Sequence, residues 1–164
     1  MEHFDLDRID RALLAALQKD ARRTNKELAA EVGLAPSSCH ARLARLVESG
    51  AITGFHARIS PQALGIGLQM LVSVRLAQHG RDTVAAFHDH IAAQPEVIDI
   101  FHLAGADDVQ LHVVVRDADH LRAFVMNTLS DRPEVAHMES HLVYDHVRAE
   151  GLPDLTEGAK EKLL

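Results

Sequence analysis

Residues 24–59, TNKELAAEVGLAPSSCHARLARLVESGAITGFHARI, leave the chain fewer folding options than any other stretch. They read as helix, tight turn, helix, glycine stop and a short strand. The first helix covers residues 27–32, and Gly33 interrupts it where the chain must turn. Pro36 opens the second helix, at a position that needs no backbone N–H, with Ser37 and Ser38 beside it. Gly50 closes that helix as a glycine just past its last turn. Two helices on so short a connector form the motif that seats its second helix in the DNA major groove. The pattern therefore predicts a sequence-specific DNA-binding protein.

The second helix tests that expectation. At about 100° per residue, Cys39, Leu43 and Leu46 fall on one stripe, which is the face to be buried. Ser37, Ser38, Ala41 and Arg45 point the other way, and His40 and Arg42 take the two flanks. No carboxylate lies between Ala35 and Val47. Arginine can pair with guanine through two hydrogen bonds, serine reaches base edges or phosphates, and alanine meets a thymine methyl. Ser37, Ser38, His40, Ala41, Arg42 and Arg45 are accordingly the predicted DNA-contacting set. The plainer alternative is a solvated amphipathic helix, in which Arg42 only pairs with Glu31 or Glu48.

The net charge of −7 runs against nucleic-acid binding until it is divided. Residues 1–60 carry nine Lys/Arg against eight Asp/Glu, and residues 61–164 carry eight against sixteen. The acid-rich remainder argues against wholesale coating of a phosphate backbone. One head neutralises few phosphates, so several heads are expected to act together. The single cysteine, Cys39, falls on the buried stripe and is read as a structural thiol. No run approaches the roughly 18 apolar residues of a membrane span, and the acidic N-terminus lacks a signal-peptide pattern. A cytoplasmic protein is expected.

Around this motif the chain divides in two. Residues 6–21 form a first helix with Leu6, Ile9, Leu13, Leu14 and Leu17 on its apolar stripe and Asp5 or Asp7 as N-cap. Residues 52–59 are expected to add a strand or wing. Residues 60–67, SPQALGIG, read as a linker. Beyond it follow a strand at 69–76, a helix at 81–94, strands at 97–103 and 109–115, a helix at 118–129 and a strand at 135–147. That β-α-β-β-α-β order is the ferredoxin-like arrangement, with both helices on one face of an antiparallel sheet. The expected class is thus α+β. It comprises a winged helix-turn-helix domain at 1–59, the linker at 60–67, a βαββαβ effector and oligomerisation domain at 68–148, and a tail at 149–164. A sheet face left bare and apolar implies pairing with a second copy.

A DNA-reading head followed by a βαββαβ domain resembles the Lrp/AsnC (leucine-responsive/asparagine-response) family of transcription regulators. The likeness is carried by LDRIDRALLAALQKDAR at 6–22, by ELAAEVGLAPSSCHARLARLVESGAITGFHARI at 27–59, and by VIDIFHLAGADD at 97–108. It implies a homodimer that often assembles into tetramers or octamers, pseudo-palindromic double-stranded DNA sites and an amino-acid effector. No other cofactor is implied. In such relatives the effector sits near a G-x-x-D turn where dimers meet. Here that turn runs from Gly105 to Asp108, with Asp107 as a neighbour able to substitute, His102 adjoining, and Asp108 placed to hold an α-ammonium group. A plain β-turn with a locally satisfied Asp is the alternative. The family's threonine before the glycine is Ala104 here, and its aromatic after the aspartate is Val109. Two threonines of its last strand align with Met138 and Ser140, which makes the expected pocket less polar.

Twelve histidines raise a metal-responsive alternative. His88 and His90 point about 200° apart on a helix, and His137 and His141 lie on the order of 13 Å apart on a strand. Neither pair chelates within one chain, which leaves only a composite site between subunits, with His102 best placed. The other rival is an enzyme resembling siroheme decarboxylases, which share this two-domain plan. His102 and His112 would then serve it, although the second domain lacks an arginine cluster for porphyrin carboxylates.

Overall fold

The computed structural model describes residues 4–78 and 80–156. Residues 1–3 of the expected head and 157–164 of the expected tail lie outside that range. The chain divides into two compact units. One runs to Ala57 and takes in the chain from Val147 onward, and the other is Arg58–His146.

The first unit holds three helices, α1 (Arg8–Lys19), α2 (Asn25–Val32) and α3 (Pro36–Glu48). Asp7 caps α1 in a reciprocal box with Asp10, and Thr24 caps α2 in the same way with Glu27. Each box satisfies two N–H groups that a helix start leaves without partners. Gly33 ends α2 at φ 68°, the left-handed conformation that costs a side-chain-bearing residue most. Gly50 does the same after α3 at φ 77°. Leu13, Ala16, Leu28, Ala29, Cys39 and Leu46 form the core between the helices. The described tail lies on α1, where the Gln18 side chain donates to the Leu152 carbonyl (3.4 Å) and accepts from its N–H (2.5 Å).

The expected wing is absent among the described residues: 53–60 belong to no strand. A strand exists only by its ladder, and the described part of this unit offers no second strand to pair with. The linker contains a short 3₁₀ turn, Pro61–Leu64.

The second unit carries β1 (Leu68–Leu76), α4 (Arg81–Ala92), β2 (Val97–His102), β3 (Val109–Val115), α5 (Ala118–Phe124) and β4 (Val135–Leu142). The strands lie in the order β2-β3-β1-β4, and every neighbouring pair is antiparallel. Val109, Leu111, Val113 and Val115 of β3 meet Met70, Val72, Val74 and Leu76 of β1 and Phe87, Ile91, Phe124 and Leu129 of the helical layer in one core. The expected helix to residue 129 is α-helical only to Phe124, and Val125–Ser130 is wound as a π-turn. There His90 of α4 reaches the Thr128 carbonyl at 3.2 Å.

The sheet face away from this core is not apolar, contrary to expectation. The register puts Gln69, Ser73 and Arg75 of β1, Asp99 of β2, Gln110 and His112 of β3, and His137, Glu139 and His141 of β4 on that side. Leu71, Phe101 and Val114 are its apolar members. The two-residue period of β3 that packs Val109, Leu111, Val113 and Val115 inward sends Gln110, His112 and Val114 outward.

A candidate DNA-reading face and a candidate effector turn

The first two turns of α3 are open. Ser37, Ser38, His40 and Ala41 are exposed, and none of their side chains bonds to another described residue. Ala35 supplies no side-chain cap, so the first N–H groups of α3 face outward with the positive end of the helix dipole. Such a start favours phosphate oxygens. Asn25 at the opening of α2 donates to the Pro36 carbonyl at 2.8 Å, which brings the two helix starts together. Arg22, before α2, and Lys26, in its first turn, are exposed and without an ion-pair partner among the described residues. Neither is among the residues expected to contact DNA, because neither sits on the second helix.

The two arginines of α3 behave differently from expectation. Arg45 does not project freely: its Nη2 donates to Asp10 Oδ2 at 2.5 Å. Arg42 pairs with neither Glu31 nor Glu48 but donates from Nη1 to Asp7 Oδ2 at 2.6 Å and to Asp10 Oδ1 at 3.0 Å. Glu31 is taken by Arg23. Asp10 is fully buried, so α1 offers α3 a carboxylate at its back. Cys39 is buried too, and burial pushes its thiol pKa up, as suits a packing role.

Asp7 is the titrating member of this corner. The Asp10 N–H and then the Arg42 guanidinium hold its carboxyl at about 2, below its ordinary 3.8. A folded-state pKa lowered in this way stabilises the head above pH ~4 and loses that contribution as pH falls toward 2. Asp7→Asn is therefore expected to flatten the head's acid unfolding between about pH 4 and 2. A far-UV circular dichroism titration of both proteins checks it; identical acid limbs would remove Asp7 from the account.

In the second unit the expected effector residues spread along one end of the sheet. His102, Val109, Val74 and Met138 are cross-strand partners in a single row on the helix side. His102 and Met138 thus stand three strand spacings apart, roughly 14 Å. Ser140 follows on β4, exposed, opposite Val72. The turn 103–108 bends over the end of β1: the Asp108 N–H donates to the Val74 carbonyl (3.0 Å), and Asp108 Oδ2 accepts from the Leu76 N–H (2.8 Å). The Asp108 carboxylate thus ties the turn to the end of β1 across the sheet. Ala104 and Gly105 are exposed, and Asp107 is half-buried. Gly105 has no positive φ, and a Cβ added there would meet nothing within 4 Å.

His112 and His102 occupy opposite faces of the sheet, so the two cannot converge on one bound tetrapyrrole. His112 is buried on the open face, with Nδ1 3.3 Å from Asp99 Oδ2 and Nε2 3.0 Å from Gln69 Oε1. His102 instead stacks on His88, ring centroids 5.5 Å apart. Among the described residues no three His, Cys, Asp or Glu side chains group to hold a metal ion. No described helix is long and apolar enough to cross a membrane.

Comparison with known proteins places both units. Residues 6–47 match the AsnC-type helix-turn-helix domain, and residues 69–153 match the Lrp/AsnC ligand binding domain. The chain is 46% identical over 144 residues to the HTH-type transcriptional regulator AldR of Mycolicibacterium smegmatis, covering 88% of this chain and 84% of that one. A crystal structure of a Neisseria meningitidis transcriptional regulator in complex with L-methionine is similar at TM-score 0.81 and 31% identity, over 88% of this chain and 93% of that one. A feast or famine regulatory protein of Mycobacterium tuberculosis complexed with L-methionine is similar at TM-score 0.75 and 30% identity, over 88% and 95% of the two chains.

Proposed function

The chain belongs to the Lrp/AsnC family of transcriptional regulators, and from that premise we propose that it reads DNA through α3 under the control of an amino-acid effector. The exposed, acid-free start of α3 carries the first half of the proposal. Ser37, Ser38, His40 and Ala41 contact bases and phosphates, while Arg22 and Lys26 anchor the flanking backbone. Arg42 and Arg45, held by Asp7 and Asp10, stand behind this face and take no part in the contacts.

The second half is supported by the turn 103–108. No described residue requires glycine at 105. The open space there leaves room for a ligand or a neighbouring subunit to approach the backbone. With Ala104 and Met138 in place of hydroxyls, the walls favour an apolar amino acid, and L-methionine bound to two relatives is of that kind. The effector acts by changing how dimers associate through the sheet and its exposed edge residues Ile98, Phe101 and Leu103. Couplings between such sites are typically about 1–3 kcal/mol, enough to switch a promoter.

Gel-shift titration on DNA from the chain's own upstream region, with competitor DNA and an amino-acid panel, tests both halves. A specific shift altered by methionine, leucine or another apolar amino acid is expected. A shift indifferent to every amino acid removes the effector half, and no specific shift on this or other promoter DNA removes the reading helix.

A further inference from the structure

The two arginines of α3 are its only fixed cations, and both are held by carboxylates from α1. Two guanidinium groups face two carboxylates there, so the reading helix carries no net charge from them. Arg45 Nη2 is 2.5 Å from Asp10 Oδ2. To read guanine by two hydrogen bonds the fork must present adjacent donors. Arg45 gives Asp10 one donor, Nη2, and withdrawing it would leave Asp10 buried, charged and with one partner fewer.

We infer that Asp10 is a positioning residue for DNA recognition: by neutralising Arg42 and Arg45 from behind, it keeps sequence-independent phosphate attraction low and leaves discrimination to the uncharged start of α3. The inference rests on α3 being the reading helix. Arg45 stays 54% exposed even when paired, so loss of the Asp10 charge is enough to release a guanidinium at the DNA surface. Arg42 keeps Asp7 as a second partner at 2.6 Å and is released less. A protein's affinity for any DNA rises with each phosphate it neutralises, and so does the steepness of its salt dependence.

Fluorescence anisotropy on the upstream fragment and on a scrambled duplex of equal length, over a salt series, tests this with the full chain, Asp10→Asn, Arg45→Ala and the double variant. Arg45→Ala alone is expected to change affinity for the upstream fragment by less than about twofold, because the side chain is already spent. Asp10→Asn is expected to tighten binding to the scrambled duplex by roughly tenfold and to steepen the salt slope by about one per engaged head. The ratio of specific to nonspecific affinity falls accordingly, and the double variant returns the slope to its original value.

A tenfold or greater loss from Arg45→Ala alone would show that Arg45 reads DNA, and would overturn the inference while leaving the reading helix intact. Because that variant keeps Asp10, the result stands even where Asp10→Asn fails to fold. A folded Asp10→Asn that weakens both duplexes at unchanged salt slope reduces Asp10 to a structural residue and overturns the inference as well. If the unsubstituted chain binds neither duplex, the reading helix and the inference fall together.

Discussion

Ala41→Glu is expected to weaken specific DNA binding by roughly a hundredfold or more, from like-charge contact with the backbone and bases, while the head stays folded. Ala41 lies on the exposed side of α3, away from the core stripe of Cys39, Leu43 and Leu46. Glutamate is nearly as good a helix former as alanine, so the substitution costs the helix only a few tenths of a kcal/mol. Its carboxylate also sits in the N-terminal half of the helix, where the dipole tolerates it. The whole penalty therefore falls on the bound state, in which the new charge meets phosphates with no cation of α3 free to screen it. Anisotropy with the upstream fragment, alongside a thermal melt, separates the two effects. Undiminished binding by a folded Ala41→Glu protein would mean that α3 does not face DNA.

How far the sequence carried depends on the range over which each feature is decided. The bounds of α3, Pro36–Glu48, were legible because proline at its first position and Gly50 just past its end act within the helix itself. The strand Val109–Val115 was equally plain, since its alternating Val and Leu report the sheet's own period. The pairing of Arg45 with Asp10 was not, because it joins residues 35 apart and exists only once α1 packs on α3. The same holds for Asp108, whose bond to Leu76 spans 32 residues. A wing at 52–59 was expected from composition that suits a strand, yet a strand is a property of two segments and the second is missing among the described residues. The alternation of β3 reports only the face on which Val109, Leu111, Val113 and Val115 pack, and the open face is set by the residues between them. Gln110 and His112 there, like His137, Glu139 and His141 on β4, turn outward by the same alternation.

Leu28→Ala is expected to melt the head selectively and to abolish DNA binding, leaving the second unit folded. Leu28 is 2% exposed and packs with Leu13, Cys39 and Leu46 in a core of six buried residues among those described. Truncating a buried leucine costs about 2–5 kcal/mol, depending on how far the site collapses. A three-helix head has little stability in reserve, since a domain of that size buries a small fraction of its surface, and the loss is comparable to the whole. The second unit draws on a separate core of Val72, Leu111, Phe87, Leu129 and their neighbours, in which no described head residue takes part. Calorimetry on Leu28→Ala is therefore expected to show an early head transition and an unshifted later one, with hydrogen exchange accelerated in α1–α3 alone. Phe87→Ala is the converse, because its 1% exposed ring lies in the second core, and it should lower the later transition while the head keeps its own. A single transition that either substitution moves equally would mean that the two cores do not melt independently. Effector binding would then have a route to α3 through shared stability as well as through assembly.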